Sequence, residues 1–571
     1  MDKYLDILRT YWGYDSFRPL QWDIISSVSS GADTLALMPT GGGKSICFQV
    51  PAMARDGLCL VITPLIALMR DQVSALRARG IKATAIYTGL TTDEQHTAID
   101  NCRFGDYKFL YLSPERLQSD MFLTMLAQMP VSMIAVDEAH CISQWGYDFR
   151  PSYLRIASVR QLFPDAPVLA LTATATADVI DDIQDKLCFR EKRVLRMSFL
   201  RKNLCYVVRR ADNKEEQLLR VLYGVSGSSI VYVRNREKTK VIAELLINNG
   251  ISATNYHAGL SNKERQTRQE RWKEGEYRVM VATNAFGMGI DKPDVRSVIH
   301  LDLPDSLEAY YQEAGRAGRD QQTAYAVLIY NKKDDGKISQ RVNNNYPTRE
   351  FVRTVYAQIA NYLQVGIDSG MGHTFAFDLF EFCKFSHLPM LPSYSAIQLL
   401  MQAGYIYFMD EHEQSPRVMM RCSKEELYEV HLSYKEDQLL QLIMRNYTGI
   451  FADPQFINDE MLARKLGMDK QAVNELLISL SQRRVIKYIP RMHTATLTYL
   501  SNREEERLLI IPPSILEERQ AVFARQTAAM LRYAQSTDQC RSQTLLAYFG
   551  ETDSQPCGTC DVCRKGKKLN G

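Results

Sequence analysis

The chain of 571 residues has no apolar run approaching the roughly eighteen residues that a membrane-crossing helix needs. Its opening segment, Met1–Thr10 (MDKYLDILRT), has neither a basic start nor an apolar stretch. No secretory signal is therefore expected, and the cytoplasm is the expected compartment. Net charge is scarce too: 69 Lys and Arg stand against 66 Asp and Glu, a formal +3. A field that weak gives no global argument for a polyanionic partner, so any such argument has to come from local sites. A composition of 46% hydrophobic and 24% charged residues excludes wholesale disorder, and the length is too great for one core. Three or four domains are expected.

Cysteine is present in two patterns. Eight of the twelve (Cys47, Cys59, Cys102, Cys141, Cys188, Cys205, Cys383 and Cys422) are scattered, mostly in apolar runs, as buried small hydrophobes would be. The other four, Cys540 and then Cys557-Gly-Thr-Cys560-Asp-Val-Cys563, have the spacing of a tetrahedral zinc shell. A shell of four thiolates leaves no open position, so such a Zn²⁺ is structural. A redox cluster is the alternative reading.

Between about Gly31 and Tyr330, β-rich runs alternate with amphipathic helical stretches, and the rhythm occurs twice, before and after about Arg210. It predicts an α/β chain with two parallel sheets wrapped by helices. The first run ends in Met38-Pro-Thr40-Gly41-Gly42-Gly43-Lys44-Ser45, a glycine loop before a helix. Such a loop turns its N–H groups toward phosphates. Lys44 is expected on the β- and γ-phosphates of ATP and Ser45 on Mg²⁺. Met38 replaces the first glycine of the strict phosphate-loop pattern. Downstream, Met133–His140 (MIAVDEAH) places Asp137 and Glu138 at a strand's carboxyl end, where α/β sheets bind ligands. Asp137 is expected to hold Mg²⁺ and Glu138 to activate water. Arg316 and Arg319 in QEAGRAGRD, read as neighbours on one helix face, are candidate arginine fingers.

These motifs, with YDSFRPLQ, VITPLIALMRDQ, LTATAT, VATNAFGMGIDKPDVR and CISQWGYDFRP in helicase order, make the chain resemble the RecQ family of ATP-dependent DNA helicases, of bacterial type. The resemblance implies two tandem RecA-like domains that close on ATP, followed by winged-helix-like units and a zinc-binding helical subdomain. It implies adenine contacts from Tyr14, Arg18 and Gln21. Thr172 and Thr174, with Gly289 and Asp291, are implied to couple hydrolysis to strand contact. It implies that Trp145, Phe149 and Arg150 meet single-stranded DNA, since aromatic planes stack on any base. The expected cofactors are ATP, Mg²⁺ and Zn²⁺. The expected partners are single-stranded and forked DNA and a single-stranded-DNA-binding protein, with no membrane. The family further implies 3′-to-5′ unwinding in DNA repair or recombination by a monomeric protein, associated with the nucleoid if bacterial.

The pattern departs from the family in three places. Tyr147 stands where a His is usual, Gln321 where a Gly commonly follows GRAGRD, and a long stretch separates motor from zinc cysteines. The expected domains are 1–208 and 209–333 (the motor), 334–513 (an insertion of two winged-helix-like units) and 514–571 (zinc subdomain and a disordered basic tail). In the first inserted unit Tyr405–Met409 and Arg417–Arg421 read as a strand pair around a polar turn. In the second, Val485–Arg491 and Thr494–Tyr499 read as a hairpin wing. Lys487, Tyr488 and Arg491 of that wing are the candidate duplex contacts. A scaffold that never touches DNA is the competing reading of this region. Gln482–Gly571 holds fourteen Lys and Arg against nine Asp and Glu, which concentrates positive charge near the zinc module. Tyr548-Phe549-Gly550 is expected to pack beneath the metal. A superfamily 2 RNA helicase and an ATP-driven clamp without unwinding are the rival activities.

Overall fold

Seven short strands carry the first sheet: β1 (Thr34–Leu37), β2 (Leu58–Ile62), β3 (Ala83–Ile86), β4 (Phe109–Leu112), β5 (Val131–Val136), β6 (Val168–Thr172) and β7 (Val194–Arg196). The computed structural model describes every residue except 40, 88–89, 91, 144, 147, 288–291, 410–415, 423, 428–429, 431, 448–449, 452–454, 490–494 and 570–571. The strand order is β3-β4-β2-β5-β6-β1-β7, all parallel. Runs such as LCLVI and VLALT are buried along their whole length, because helices cover both faces of a parallel sheet.

A second parallel sheet comprises β8 (Leu204–Arg210), β9 (Ser228–Tyr232), β10 (Ala253–Tyr256), β11 (Val279–Ala282), β12 (Val295–His300) and β13 (Ala324–Tyr330), in the order β10-β11-β9-β12-β13-β8. The zinc-module helices Glu517–Gln535 and Arg541–Tyr548 complete both motor cores. Leu546 and Phe549 join the apolar cluster of the first sheet, while Met530, Tyr533, Ala534 and Leu545 join that of the second. Phe549 therefore does not pack beneath the metal as expected. Its ring lies 4.8 Å from Phe199 and 5.3 Å from Tyr311. Glu551 accepts hydrogen bonds from the Ser198 hydroxyl (2.6 Å) and the Phe199 N–H (2.7 Å), pinning the segment that joins the two sheets. The final helix runs Asp561–Leu569, so the basic segment Arg564–Lys568 is helical rather than disordered.

Met1–Gln340 and Arg519–Gly571 form one compact unit, and Arg341–Glu518 forms another. The second unit corrects the expected strand pairing. Its strands are β14 (Thr374–Ala376), β15 (Ile406–Met409), β16 (Arg417–Met420), β17 (Gln455–Phe456), β18 (Ile486–Ile489) and β19 (Thr496–Tyr499). β15 pairs antiparallel with β19, not with β16, and β16 pairs with β18, which does not pair with β19. Neither expected hairpin forms. The two modules are nested: β14, β15 and β19 belong to one, and the other is spliced between β15 and β19. Each closes its own core, one around Val355, Ile397 and Leu497, the other around Leu440, Leu477 and Ile486. Among the described residues no helix is long and apolar enough to cross a membrane.

Candidate nucleotide and nucleic-acid site

The carboxyl ends of β2, β5, β6 and β1 stand side by side, which brings the separate motifs together. The Asp137 N–H donates to the Ile62 carbonyl (2.9 Å) and the Met38 N–H to the Thr172 carbonyl (3.1 Å). After β1, Gly41 and Gly43 adopt φ +80 before the helix Lys44–Ala54. A β-carbon on Gly43 would also stand 2.5 Å from the Gln21 side-chain nitrogen, so only glycine fits there. Gln21 donates to the Gly43 carbonyl (3.0 Å) and accepts from the Arg18 N–H (2.8 Å), while Arg18 donates to the Gly41 carbonyl (2.9 Å). The expected adenine segment is thus bolted to the phosphate loop. Tyr14, Arg18 and Gln21 line an adjoining pocket of about 680 Å³.

Lys44, Ser45, Asp137, Glu138 and Arg319 line one cavity of about 430 Å³, with Gly41 and Pro293 also on its wall. Gly42 lies in the same loop, whereas Thr40, Gly289 and Asp291 lie outside the described residues. Glu138 holds a left-handed backbone (φ 47), a strained conformation for a residue with a β-carbon. Burial and then the neighbouring Glu138 push the Asp137 carboxyl up to about 6, against the lowering pull of Lys44. The Asp137 and Glu138 carboxylates with the Ser45 hydroxyl are oxygen donors of the kind that fit a hard divalent cation, while Arg18, Lys44 and Arg319 on the same wall fit phosphate.

His140 is buried, which lowers its pKa and keeps the imidazole neutral, and its Nδ1 lies 2.9 Å from the Thr172 hydroxyl. Thr172 in turn accepts from the Thr174 N–H (3.3 Å). Tyr153 was not anticipated from sequence: its hydroxyl donates to the Asp137 carbonyl (3.0 Å). No motif marks it, because the contact spans a loop.

Arg316 and Arg319 are not on a helix. The helix Leu307–Ala314 stops at Gly315, and both arginines lie in the turn beyond it. Arg201 donates to the carbonyls of Gly315, Ala317 and Gly318, and Asn203 donates to that of Gly318, taking up acceptors that a continuing helix would have used. Gly318 at φ +63 permits the turn. Arg316 is buried, while Arg319 reaches the cavity.

Beyond Glu138 the chain forms the aromatic segment. Trp145 is 39% exposed. The Phe149 ring is half-buried, and Arg150 pairs with Asp148 at 3.2 Å. Tyr147 lies outside the described residues, as does Arg491. Lys487 is exposed on β18, but the Tyr488 hydroxyl donates to Asn474 (2.7 Å), fixing that ring on a neighbouring helix rather than at a wing tip.

The sulfurs of Cys540, Cys557, Cys560 and Cys563 all lie within 4.8 Å of one another, and those of Cys540 and Cys560 are 4.0 Å apart. Zinc–sulfur bonds of about 2.3 Å at tetrahedral angles put sulfurs about 3.8 Å apart, so the shell fits Zn²⁺. The hydrogen bond between Cys557 and Cys560 pushes the Cys557 thiol down and the Cys560 thiol up.

Two parallel-sheet lobes with a phosphate loop on one and an arginine turn on the other define a tandem RecA-like motor of the DEAD/DEAH helicase class. Family profiles agree: "DEAD/DEAH box helicase" matches residues 18–183 and "Helicase conserved C-terminal domain" 213–321. "RecQ helicase winged-helix domain, Bacteroidota" matches 418–490, the nested module, and "RecQ zinc-binding" matches 497–564. The chain is 46% identical over 331 residues to the ATP-dependent DNA helicase RecQ of Pasteurella multocida, covering 58% of this chain and 52% of that protein. It is 42% identical over 334 residues to the probable ATP-dependent DNA helicase RecS of Bacillus subtilis, covering 58% and 67%. The chain belongs to the RecQ family. Its match spans about half the length of the RecQ proteins of P. multocida and Haemophilus influenzae. The solved DUF1998 helicase MrfA bound to DNA shares the motor fold at TM-score 0.50 and 19% identity, over 58% of this chain and 51% of that one.

Proposed function

We propose that this protein is an ATP- and Mg²⁺-dependent DNA helicase that translocates on single-stranded DNA and unwinds duplex 3′ to 5′, in DNA repair or recombination. The observation that carries the reading is the single cavity shared by Lys44, Ser45, Asp137 and Glu138 from one lobe and Arg319 from the other. Lys44 binds the β- and γ-phosphates and Glu138 orients and deprotonates the attacking water. Arg319 meets the charge that develops on the transferred phosphoryl group, and Arg316 braces the same turn. Mg²⁺, when bound, neutralises phosphate charge, and Ser45 and Asp137 are the residues that would hold it. Thr40, Gly41, Gly42 and Gly43 cradle the phosphates, and Tyr14, Arg18 and Gln21 receive the adenine.

Trp145, Phe149 and Arg150 contact single-stranded DNA. The short path Arg150–Cys141–Glu138 links them to the water-activating carboxylate, since the Arg150 N–H donates to the Cys141 carbonyl and the Cys141 N–H to that of Glu138. Gly289 and Asp291 complete the coupling elements, Lys487 and Arg491 are duplex contacts on the nested module, and Cys540, Cys557, Cys560 and Cys563 hold zinc. Forked DNA and a single-stranded-DNA-binding protein are the proposed partners of a monomer acting at the nucleoid.

The test is Glu138→Gln. It is expected to bind ATP normally and to lose about 10²- to 10⁴-fold in DNA-stimulated hydrolysis. Full retention of that hydrolysis would overturn the assignment. A matched pair of DNA and RNA forks separates the DNA reading from an RNA helicase.

A further inference from the structure

The Phe149 ring, the proposed base platform, is already occupied. The Arg519 guanidinium carbon lies 4.6 Å from its centroid, and the Lys186 ammonium lies 6.0 Å away. A guanidinium plane and a nucleobase compete for the same π-face, and the two interactions are of similar strength. In this state, then, a base can reach that face only by displacing Arg519.

Arg519 stands in the first turn of the helix Glu517–Gln535, whose far end is anchored elsewhere. Met530, Tyr533 and Ala534 are buried in the core of the second lobe, with the Tyr533 ring 5.3 Å from that of Tyr310. From Arg519 to Tyr533 the helix spans about 21 Å at 1.5 Å per residue. Its root is in the second lobe, and its tip lies on the aromatic segment of the first. Tyr310 belongs to the helix that leads into the arginine turn, and Phe149 directly precedes Arg150, whose N–H holds the Cys141 carbonyl (2.8 Å). One rigid rod thus touches elements that lead to both walls of the ATP cavity.

We infer that Arg519 is a positioning residue that occupies Phe149 in the absence of DNA, restraining hydrolysis until a base replaces it. The inference rests on the proposed DNA-stimulated ATPase. DNA then acts twice: it adds a stacked base, and it frees the rod to follow the second lobe as the cleft closes. Lys186 remains as a weaker cation on the ring, so losing Arg519 does not strand Phe149.

The experiment compares wild type, Arg519→Ala and Arg519→Lys by ATPase titrated with oligo-dT, and by fluorescence anisotropy of labelled oligo-dT. Arg519→Ala is expected to raise the DNA-free rate about 3- to 10-fold and to lower the half-saturating DNA concentration by a similar factor. The rate at saturating DNA is expected to stay unchanged, with Arg519→Lys intermediate. Phe149→Ala combined with Arg519→Ala is expected to show no further gain in the DNA-free rate over Phe149→Ala alone. An unchanged DNA-free rate and half-saturation in both Arg519 variants would overturn the inference. So would a fall in the saturating rate alone, which is the signature of a merely structural side chain. If wild type itself shows no stimulation by DNA, the underlying reading fails instead, and the two failures are distinguishable.

Discussion

Replacing residues 410–495 by Asn-Gly joins β15 directly to β19, and the nested arrangement makes a definite statement about the product. Ile406↔Tyr499, Tyr407↔Thr498, Phe408↔Leu497 and Met409↔Thr496 already face one another in antiparallel register. Asn-Gly supplies the type I′ turn that a two-residue hairpin connection requires. The excised module has its own core, and its ends lie together because Arg417 opposes Ile489 on adjacent strands. Removing it therefore takes only the small Ala495 side chain from the cluster around Val355, Ile397 and Leu497. Closure becomes easier: shortening a connection of about 13 residues to 2 is worth about 1.6 kcal/mol by the logarithmic loop-length law. The variant is thus expected to keep, or slightly raise, the unfolding midpoint of the outer module, followed by calorimetry and limited proteolysis. ATPase stimulated by oligo-dT should persist, while fork unwinding measures what the nested module contributes. Loss of the outer module's cooperative transition would refute the nested assignment, because it would mean that the two cores depend on each other.

Three further outcomes follow from individual residues. Phe549→Ala removes a buried ring wedged against Phe199 and Tyr311 and is expected to cost about 3–5 kcal/mol in chemical denaturation of the motor. Gln321 sits at φ +67, where its Cβ is strained, so Gln321→Gly is expected to gain about 0.5–1 kcal/mol in the same assay, net of the entropy glycine costs. Glu436 is held down from 4.5 to about 2, chiefly by the Ser433 N–H and then by Ser479 and Arg483. A depressed folded-state pKa stabilises above the unfolded value and is lost as pH falls. The nested module should therefore weaken between about pH 4.5 and 2, and Glu436→Gln should flatten that dependence in acid-melting curves.

The motor was legible in the sequence because its signals are local: buried parallel strands read as apolar runs, and each motif sits at the end of its own strand. The nested pairing was not. Tyr405–Met409 and Arg417–Arg421 flank a short polar stretch, as a hairpin would, and so do the strands around residue 492. Nothing within either window reveals that the first strand of one pair belongs with the last strand of the other. The arginine turn is hidden for the same reason. Helical spacing suits Arg316 and Arg319, but Arg201, more than a hundred residues earlier, takes the carbonyls that end the helix. Phe549 looked like a metal neighbour because Cys557 follows it closely, whereas its partners come from both motor lobes.

The return of the chain to the motor after residue 518 has a consequence for biosynthesis. A ribosome releases the two sheets first, but Phe199 and Tyr311 wait for Leu546 and Phe549 to cover them. The 341–518 unit has to be translated in between, which at about 5–20 residues per second takes about 9–36 s. Throughout that interval the nascent motor carries an uncovered aromatic seam, a natural target for a chaperone, while the nested module, complete in itself, can already be folded.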